Sequence, residues 1–354
     1  MSYPIWSRRF WIRSLIAAVL VLTALSGLAQ EEPPSLSERI TIRNTSRAAV
    51  FDSRTFSGKR TAIPYWDKGH LVSWNIEAFA PDASRVRVYD GEGRQTGDAT
   101  IWFPGTTRVL ITSATMSRNG GIIASGIAAR SDGVNAGFIV HTDQTGSVKD
   151  VIQTGDFGPH AVCEAPDDSV WAFGMRSWDE SKNAPKPGNA LRQFRFDRGE
   201  VSSYLPEMMF AGAAPYISTS YLRCLSDRVV AYSGATNTYT DLHYEGSGEP
   251  RIAQIQSPGG SALVGFAASE SGDVFGYFAR VDWGPIGDRK PENGLYVLHT
   301  RDFSSRASWV SVKFKNPSDR VAGLYGIDGS TLIVRQVADP AGRYTLRWFS
   351  LLSQ

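Results

Sequence analysis

Short apolar strands separated by polar turns repeat along the chain. Residues 158–174, GPHAVCEAPDDSVWAFG, show the unit: two runs rich in β-branched and aromatic residues flank Pro-Asp-Asp-Ser, a sequence that favours a tight turn. Similar units recur at intervals of about 44 to 60 residues. Their six turns are Asp67–His70, Arg118–Gly121, Pro166–Ser169, Ser226–Arg228, Glu270–Asp273 and Ile327–Ser330.

A third strand usually follows each pair, and a hairpin turn with a fourth strand often comes next, as in GFIVHTD-QTG-SVKDVIQ. Four strands per unit at this period are typical of a β-propeller rather than a sandwich. No segment after residue 29 sustains an apolar period of 3.6 residues over three helical turns. The pattern therefore predicts an all-β protein, a six-bladed β-propeller in a single domain over residues 37–354.

The last unit ends after its third strand, at Gln354, whereas Glu38–Asn44 (ERITIRN) is a strand with no partner in the first unit. Ile40 and Ile42 alternate with polar residues, which is the period of a half-buried strand. We expect this strand to become the outermost strand of the last blade. Such pairing closes the ring and removes two exposed sheet edges.

The first 29 residues have the pattern of a secretory signal peptide. Three arginines precede an apolar run, and Gly27-Leu28-Ala29 supplies small residues for cleavage before Gln30. The run of roughly 11 apolar residues is shorter than the ~20 that a membrane span needs. Ser7-Arg8-Arg9 begins a twin-arginine-like export pattern, and an ordinary Sec signal is an equal alternative. We expect a periplasmic or secreted protein with no stable membrane insertion, in which residues 30–36 form a linker.

The leader also carries the basic excess of the chain. The full sequence has a formal net charge of +2, and without the leader 34 basic residues face 35 acidic ones. A nearly neutral chain has no basic surface to attract nucleic acid or anionic lipid. We therefore expect no nucleic-acid partner.

Cys163 and Cys224 are the two cysteines of the chain. Each falls in the first strand of its unit, and the two units are consecutive, so a disulfide between adjacent blades is geometrically possible. Neighbouring inner strands can, however, lie beyond the limit of ~7 Å between Cα atoms for a disulfide. We therefore favour two buried thiols, with the disulfide as the alternative.

Two units are lengthened between their second and third strands, by residues 175–188 and 280–293. In a propeller these connections lie at the end of the ring where the innermost strands begin, so both insertions are expected to overhang the channel mouth. Each carries a tryptophan on a polar loop, which is a common anchor in binding sites. The predicted binding residues are Trp178, Trp283, Arg176, Arg223, Arg280 and Glu164.

The segment GDFGPHAVCEAPDDSVWAFG is similar to the recurring motif of the NHL, streptogramin-lyase and gluconolactonase group of six-bladed propellers, with TolB-like propellers a looser match. The resemblance to the lyases implies a histidine and a glutamate near the channel mouth that act as general acid and base together with a divalent metal. His160 is then the candidate general base. Glu164 has the same strand parity but lies about 13 Å along the strand, so the partner of His160 must come from another blade.

The resemblance to gluconolactonases implies a calcium ion held by several oxygen ligands from the inner strands. The first strands of this chain offer Glu164 and little else that is acidic. We therefore predict no cofactor and no metal ligands, with a divalent cation (Ca²⁺ or Mg²⁺) as the alternative. Gly-x-Ser-x-Gly, phosphate-loop, His-Glu-x-x-His and paired Cys-x-x-Cys motifs do not occur in the sequence.

Together these features predict an exported binding or interaction module, with its site at the channel mouth beneath the insertions 175–188 and 280–293. The expected ligand is a peptide, a glycan or a partner protein. The alternative is a metal-dependent lyase or lactonase with His160 as general base.

Overall fold

The computed structural model describes residues 40–52, 64–75, 83–176, 178–179, 184–185, 188–210, 220–244, 249–279, 294–299, 307–315, 321–335 and 343–353. These residues form six sheets of four or five strands, antiparallel except for one short outer strand, arranged as the blades of a propeller. The predicted signal peptide and linker lie outside the described residues. Within the described part of the chain, no helix has the length and apolar character of a membrane span.

The chain enters with strand β1 (Ile40–Asp52) and then builds the blades in order. Blade 1 contains β2 (Tyr65–Asp67), β3 (His70–Trp74), β4 (Arg85–Tyr89) and β5 (Gln95–Thr100). Blade 2 contains β6 (Thr106–Met116), β7 (Ile122–Arg130), β8 (Asn135–Thr142) and β9 (Val148–Gly155). Blade 3 contains β10 (Phe157–Glu164), β11 (Val170–Arg176), β14 (Asn189–Arg195) and β15 (Gly199–Pro206), with a separate hairpin of β12 (Trp178–Asp179) and β13 (Ala184–Pro185).

Blade 4 contains β16 (Ser220–Cys224), β17 (Arg228–Ser233), β18 (Thr238–His243) and β19 (Arg251–Gln254). Blade 5 contains β20 (Ala262–Ala268), β21 (Asp273–Ala279), β22 (Gly294–His299) and β23 (Val310–Ser311). Blade 6 contains β25 (Gly323–Asp328), β26 (Thr331–Arg335) and β27 (Arg343–Ser353), joined by β1 and then by β24 (Lys313–Phe314). Two 3₁₀ turns, Glu207–Phe210 and Pro258–Gly260, complete the described elements.

The N-terminal strand closes the ring, as the sequence predicts. β1 pairs antiparallel with β27, from Ile40 opposite Ser353 to Asp52 opposite Arg343. The strand is longer than the predicted Glu38–Asn44 because it resumes after a register irregularity beyond Asn44, which breaks the alternation that marks a strand in the sequence. β24 adds a short parallel strand on the outer side of β1, so the last blade has five strands rather than four.

The hydrophobic core is divided among the six interfaces between blades. Each buried apolar cluster draws its residues from two consecutive blades, and the six clusters together form a complete circuit. At the seam between blades 6 and 1, the Trp66 and Trp348 rings meet edge to face with their centroids 5.5 Å apart. The strand that closes the ring contributes Ala49 to the same cluster. Closure of the ring therefore buries apolar surface as well as pairing β-strands.

Hydrogen bonds join the innermost strands around the channel. The Thr112 hydroxyl donates to the Pro159 carbonyl at 2.5 Å, and the Val162 N–H donates to the Ser113 hydroxyl at 3.2 Å, so β6 is tied to β10. Between blades 5 and 6 the backbones come close at Gly265, where an added Cβ atom would lie 2.5 Å from the Leu324 carbonyl oxygen. Only glycine fits that approach without displacing a strand.

Cys163 and Cys224 form a disulfide between β10 and β16. The expectation of two buried thiols is therefore wrong. Their Cα atoms are 5.6 Å apart, within the range that a disulfide spans, because the two inner strands lie side by side at this end of the channel. The bond is a covalent link between blades 3 and 4.

The two ends of the ring carry different connections. The six turns between first and second strands lie at one end, which we call the turn face; Glu164, opposite Val170, is adjacent to one of these turns. The second-to-third-strand connections lie at the other end, which we call the insertion face; Phe157, opposite Arg176, marks it in blade 3. Each innermost strand runs from the insertion face to the turn face.

Candidate functional site

Side chains of the innermost strands fill the middle of the channel. The space left there is a cavity of about 40 Å³, enough for one or two water molecules. The Trp74 indole N–H crosses to the Thr112 carbonyl at 3.1 Å, and the Tyr221 hydroxyl donates to the Leu263 carbonyl at 3.2 Å. The channel is therefore a packed core, with room for a ligand only towards its ends.

A larger cavity opens at the turn face, with a volume of about 410 Å³. Residues from all six blades line it, including the Cys163–Cys224 disulfide. This volume lies within the range of small-molecule sites in proteins. Its charged side chains are Asp67, Lys68, Arg118, Glu164, Arg223 and Glu270.

The three carboxylates of this cavity fasten one blade to the next. Glu164 accepts the Arg118 backbone N–H at 2.6 Å, and Glu270 accepts the Ser226 backbone N–H at 2.9 Å. Asp67 accepts the Met116 backbone N–H at 2.9 Å. In each case a carboxylate of one blade holds the backbone of its neighbour, which fixes the shape of the cavity wall.

Lys68 joins this arrangement as a bridge between three blades. Its ammonium group donates to the Met116 carbonyl at 2.7 Å and lies 3.2 Å from Asp67 and 3.7 Å from Glu164. Lys68 is therefore neutralised by two carboxylates of the cavity itself.

Arg223 has a different environment. Its guanidinium lies 3.7 Å above the centre of the Tyr65 ring and donates to the carbonyls of Leu222 and Phe266, at 2.7 and 2.9 Å. Arg223 and Tyr65 line both the small channel cavity and the turn-face cavity, so this stacked pair is the partition between them. Burial raises the pKa of Tyr65, and the positive charge of Arg223 offsets part of that rise.

His160 lies in the narrow part of the channel, in the wall of the small cavity. Burial lowers its pKa to about 4, so the imidazole is neutral at pH 7. His160 is near the start of β10, whereas Glu164 ends the strand at the turn face. The structure therefore does not bring these two residues together.

The predicted binding residues divide between the two faces. Glu164 and Arg223 line the turn-face cavity, at the opposite end from the insertions that the sequence placed above them. The reason is strand position: both residues come late in an innermost strand, next to the turn. The prediction of one site containing all six binding residues is therefore corrected.

Arg176 ends β11 on the insertion face, with its Nε 3.7 Å from Asp156. Trp178 begins the hairpin of β12 and β13, in register with Pro185. The side chain of Trp178 lies outside the described residues. So does the whole second insertion, which contains Arg280 and Trp283. Their role at this mouth stays a prediction.

The base of the first insertion is held by the buried Glu207. This carboxylate accepts the Arg176 backbone N–H at 3.1 Å and an Arg192 N–H at 3.3 Å. Burial raises the pKa of Glu207 despite these two partners. The insertion therefore begins on a fixed part of blade 3.

The described residues include no group of three or more histidine, cysteine, aspartate or glutamate side chains placed to hold a metal ion. The alternative of a bound Ca²⁺ or Mg²⁺ stays a prediction.

Neither Lys68 nor Arg118 is among the binding residues predicted from the sequence, although both line this cavity. Both belong to turns that the repeat pattern located correctly, and the common position of those turns in the unit was the available signal. What the pattern could not indicate was that their side chains reach across to neighbouring blades.

No protein-family model and no curated protein matches this sequence. Solved structures that resemble it include a protein of unknown function from Bacteroides caccae, with 11% identity and a TM-score of 0.47 over 72% of this chain and 82% of that chain. A member of the DUF4221 family from Bacteroides vulgatus has 7% identity and a TM-score of 0.45, over 90% and 100% of the two chains. A gluconolactonase from Xanthomonas campestris has 9% identity and a TM-score of 0.41, over 90% and 89%. Likenesses of this size carry no inference about activity. The chain is a six-bladed β-propeller by its own strand pairing, and its place among NHL-, lyase- or TolB-like propellers stays a prediction.

Proposed function

We propose that this chain is an exported binding module whose ligand occupies the turn-face cavity. The observation that carries the proposal is the cavity itself: about 410 Å³, at the turn-face end of the channel and lined by residues of all six blades, several of them charged. Concave sites of this size with a few convergent polar groups are the usual places where proteins bind small ligands or the end of a larger one. The ligand classes remain those of the sequence prediction, namely a peptide, a glycan or a partner protein.

The walls of the cavity support this proposal because they are held rigidly. Carboxylate-to-backbone bonds fasten Glu164 and Glu270 to the adjacent blades, and the Cys163–Cys224 disulfide lies in the same wall. A site that is already ordered loses little conformational entropy when a ligand binds. The disulfide also fits the predicted export, because such bonds persist in oxidising compartments.

Filling the cavity tests the proposal. Ser226 lines it, and replacement by tryptophan would occupy the volume. The substitution removes the hydrogen bond from the Ser226 hydroxyl to Glu270 but leaves the backbone N–H of residue 226 available to that carboxylate. The matched control is Thr145→Trp, at an exposed turn of blade 2 that does not line the cavity. Both variants and the wild type, fluorescently labelled, are applied to arrays of peptides and glycans.

We expect the wild type and Thr145→Trp to bind the same array members, and Ser226→Trp to lose them. The proposal fails if the wild type binds nothing on either array, or if Ser226→Trp retains every ligand.

The insertion face is the second surface of the proposal. Trp178 and Trp283 would anchor a peptide, glycan or protein that reaches across this mouth, since aromatic side chains on polar loops often dominate binding energy. Replacing both tryptophans by alanine should then weaken capture of array ligands. If the double variant binds as the wild type does, the insertions take no part in binding.

The alternative of a metal-dependent lyase or lactonase depends on His160 as general base. An imidazole with a pKa of about 4 is a weak proton acceptor at neutral pH. Thermal unfolding with and without Ca²⁺, Mg²⁺ or Mn²⁺ separates the two functions. A metal site of micromolar affinity would add about 4 kcal/mol at millimolar metal, and the binding module predicts no such gain.

A further inference from the structure

We propose that the turn-face cavity is a carboxylate-binding site in which the guanidinium of Arg223 receives the acid group of the ligand. This inference rests on the proposed function and names the class of ligand. A peptide C-terminus and a uronic-acid sugar both carry the group required.

The formal charges of the cavity balance, but its acids and its bases have different kinds of partner. Each carboxylate accepts a backbone N–H from an adjacent blade, and Asp67 and Glu164 also lie within 3.7 Å of Lys68. The acids therefore serve to hold the ring together.

The two arginines of the cavity have only neutral partners among the described residues. Arg223 donates to two backbone carbonyls, and Arg118 donates to the Pro166 carbonyl. No carboxylate in the described part of the chain lies within ion-pair distance of either guanidinium. A guanidinium has five N–H donors and no acceptor, so Arg223 keeps donors for an incoming ligand.

Arg223 is also placed and oriented to bind a ligand with its unused N–H donors. The side chain forms the partition between the turn-face cavity and the packed channel, half-buried and stacked on Tyr65. Stacking and two carbonyl bonds fix the plane of the guanidinium, and a fixed plane favours bidentate binding of an oxyanion. Arg118, exposed at the rim, adds a second positive charge at the mouth.

The cavity offers a doubly charged oxyanion no net advantage over a singly charged one. Because its formal charges balance, a second negative charge on the ligand adds repulsion from the three carboxylates along with attraction to the three cations. A phosphate dianion therefore gains no net attraction to offset its larger desolvation cost. The planar carboxylate, which matches the guanidinium fork, is the expected ligand group.

The test measures binding of small probes by titration calorimetry at constant ionic strength. The carboxylate probes are glucuronate and N-acetylalanine, which stand for the sugar and peptide sources. The comparison probes are glucose, N-acetylalanine amide and inorganic phosphate. We expect the wild type to bind at least one carboxylate probe, and to bind its neutral counterpart at least tenfold more weakly.

Arg223→Gln should weaken carboxylate binding by about tenfold to a hundredfold, the range of a lost charge-assisted hydrogen bond. Arg223→Lys keeps the positive charge but lacks the planar guanidinium fork, so its affinity for the carboxylate probes should lie between those of the wild type and Arg223→Gln. The matched control is Arg198→Gln, an exposed arginine outside the cavity, which should bind as the wild type does. Near-UV circular dichroism of each variant shows whether it is folded.

The inference is overturned if the wild type binds no carboxylate probe, binds the neutral probes equally well, or prefers phosphate. It is also overturned if a folded Arg223→Gln variant keeps wild-type affinity. If Arg223→Gln does not fold, the comparison of charged and neutral probes on the wild type decides. If the wild type binds a neutral array ligand and Ser226→Trp does not, the proposed binding function is supported and the proposed carboxylate class is wrong.

Discussion

Replacing His160 by glutamine should make the protein more resistant to mild acid. In the folded chain burial lowers the pKa of His160 to about 4, against 6.5 for an ordinary histidine. Between these values the unfolded chain takes up a proton that the folded chain does not. The free energy of unfolding of the wild type therefore falls as the pH decreases from about 6.5 to about 4.

The size of this effect follows from the two pKa values. A difference of about 2.5 units corresponds to about 3 kcal/mol when the loss is complete, and about 2 kcal/mol is already lost at pH 5. Above pH 7 both states carry a neutral imidazole, so the pH dependence from this residue disappears. Glutamine does not titrate, so the His160→Gln variant does not lose this part of the free energy of unfolding at any pH.

Urea unfolding of both proteins at pH 7.5 and pH 5 measures the effect. Other groups titrate in the same way in the two proteins, so the difference in pH dependence isolates His160. We expect the wild type to lose about 2 kcal/mol more than His160→Gln over this interval. Parallel pH profiles would show that the imidazole is accessible and protonated in the native channel, which would refute the assignment to a packed interior.

Two further predictions concern the joints between blades. Removal of the disulfide in a Cys163→Ala/Cys224→Ala double variant should lower the free energy of unfolding by up to about 4 kcal/mol, because the bond closes a loop of sequence separation 61. If the variant and the oxidised wild type unfold at the same urea concentration, the disulfide has no structural role. Trp348→Ala should cost about 3–5 kcal/mol, because Trp348 is 2% exposed and packs against Trp66 where the ring closes. The control Trp102→Ala, at a side chain 51% exposed, should change stability little in the same denaturant series, and equal losses in the two variants would argue against a packed seam.

The repeat of strands and turns was sufficient to predict the architecture. Alternation in residues 38–44 and the missing fourth strand of the last unit together indicated how the ring closes, and β1 pairs with β27 as expected. The extension of β1 to Asp52 escaped prediction because the register irregularity beyond Asn44 interrupts the alternation. Local periodicity carries no trace of the parallel strand β24, which pairs with a segment far away in the sequence.

The site was less predictable because it depends on distances between blades. Spacing alone could not show that β10 and β16 come close enough at Cys163 and Cys224 for a disulfide. It also could not show that Lys68 reaches the Met116 carbonyl of the next blade. Arg223 was among the binding residues predicted beneath the insertions, whereas its position at the turn face and its stacking on Tyr65 require the ring to be assembled. Strand parity and turn position determine the face of a residue, and only the packed blades determine its partners.

The most direct test of the proposed site is a crystal structure of the protein soaked with glucuronate. The account predicts the sugar in the turn-face cavity, with its carboxylate hydrogen-bonded to the guanidinium of Arg223 and the Tyr65 stack unchanged. A sugar bound only at the insertion face, or a carboxylate in the cavity that does not contact Arg223, would contradict it.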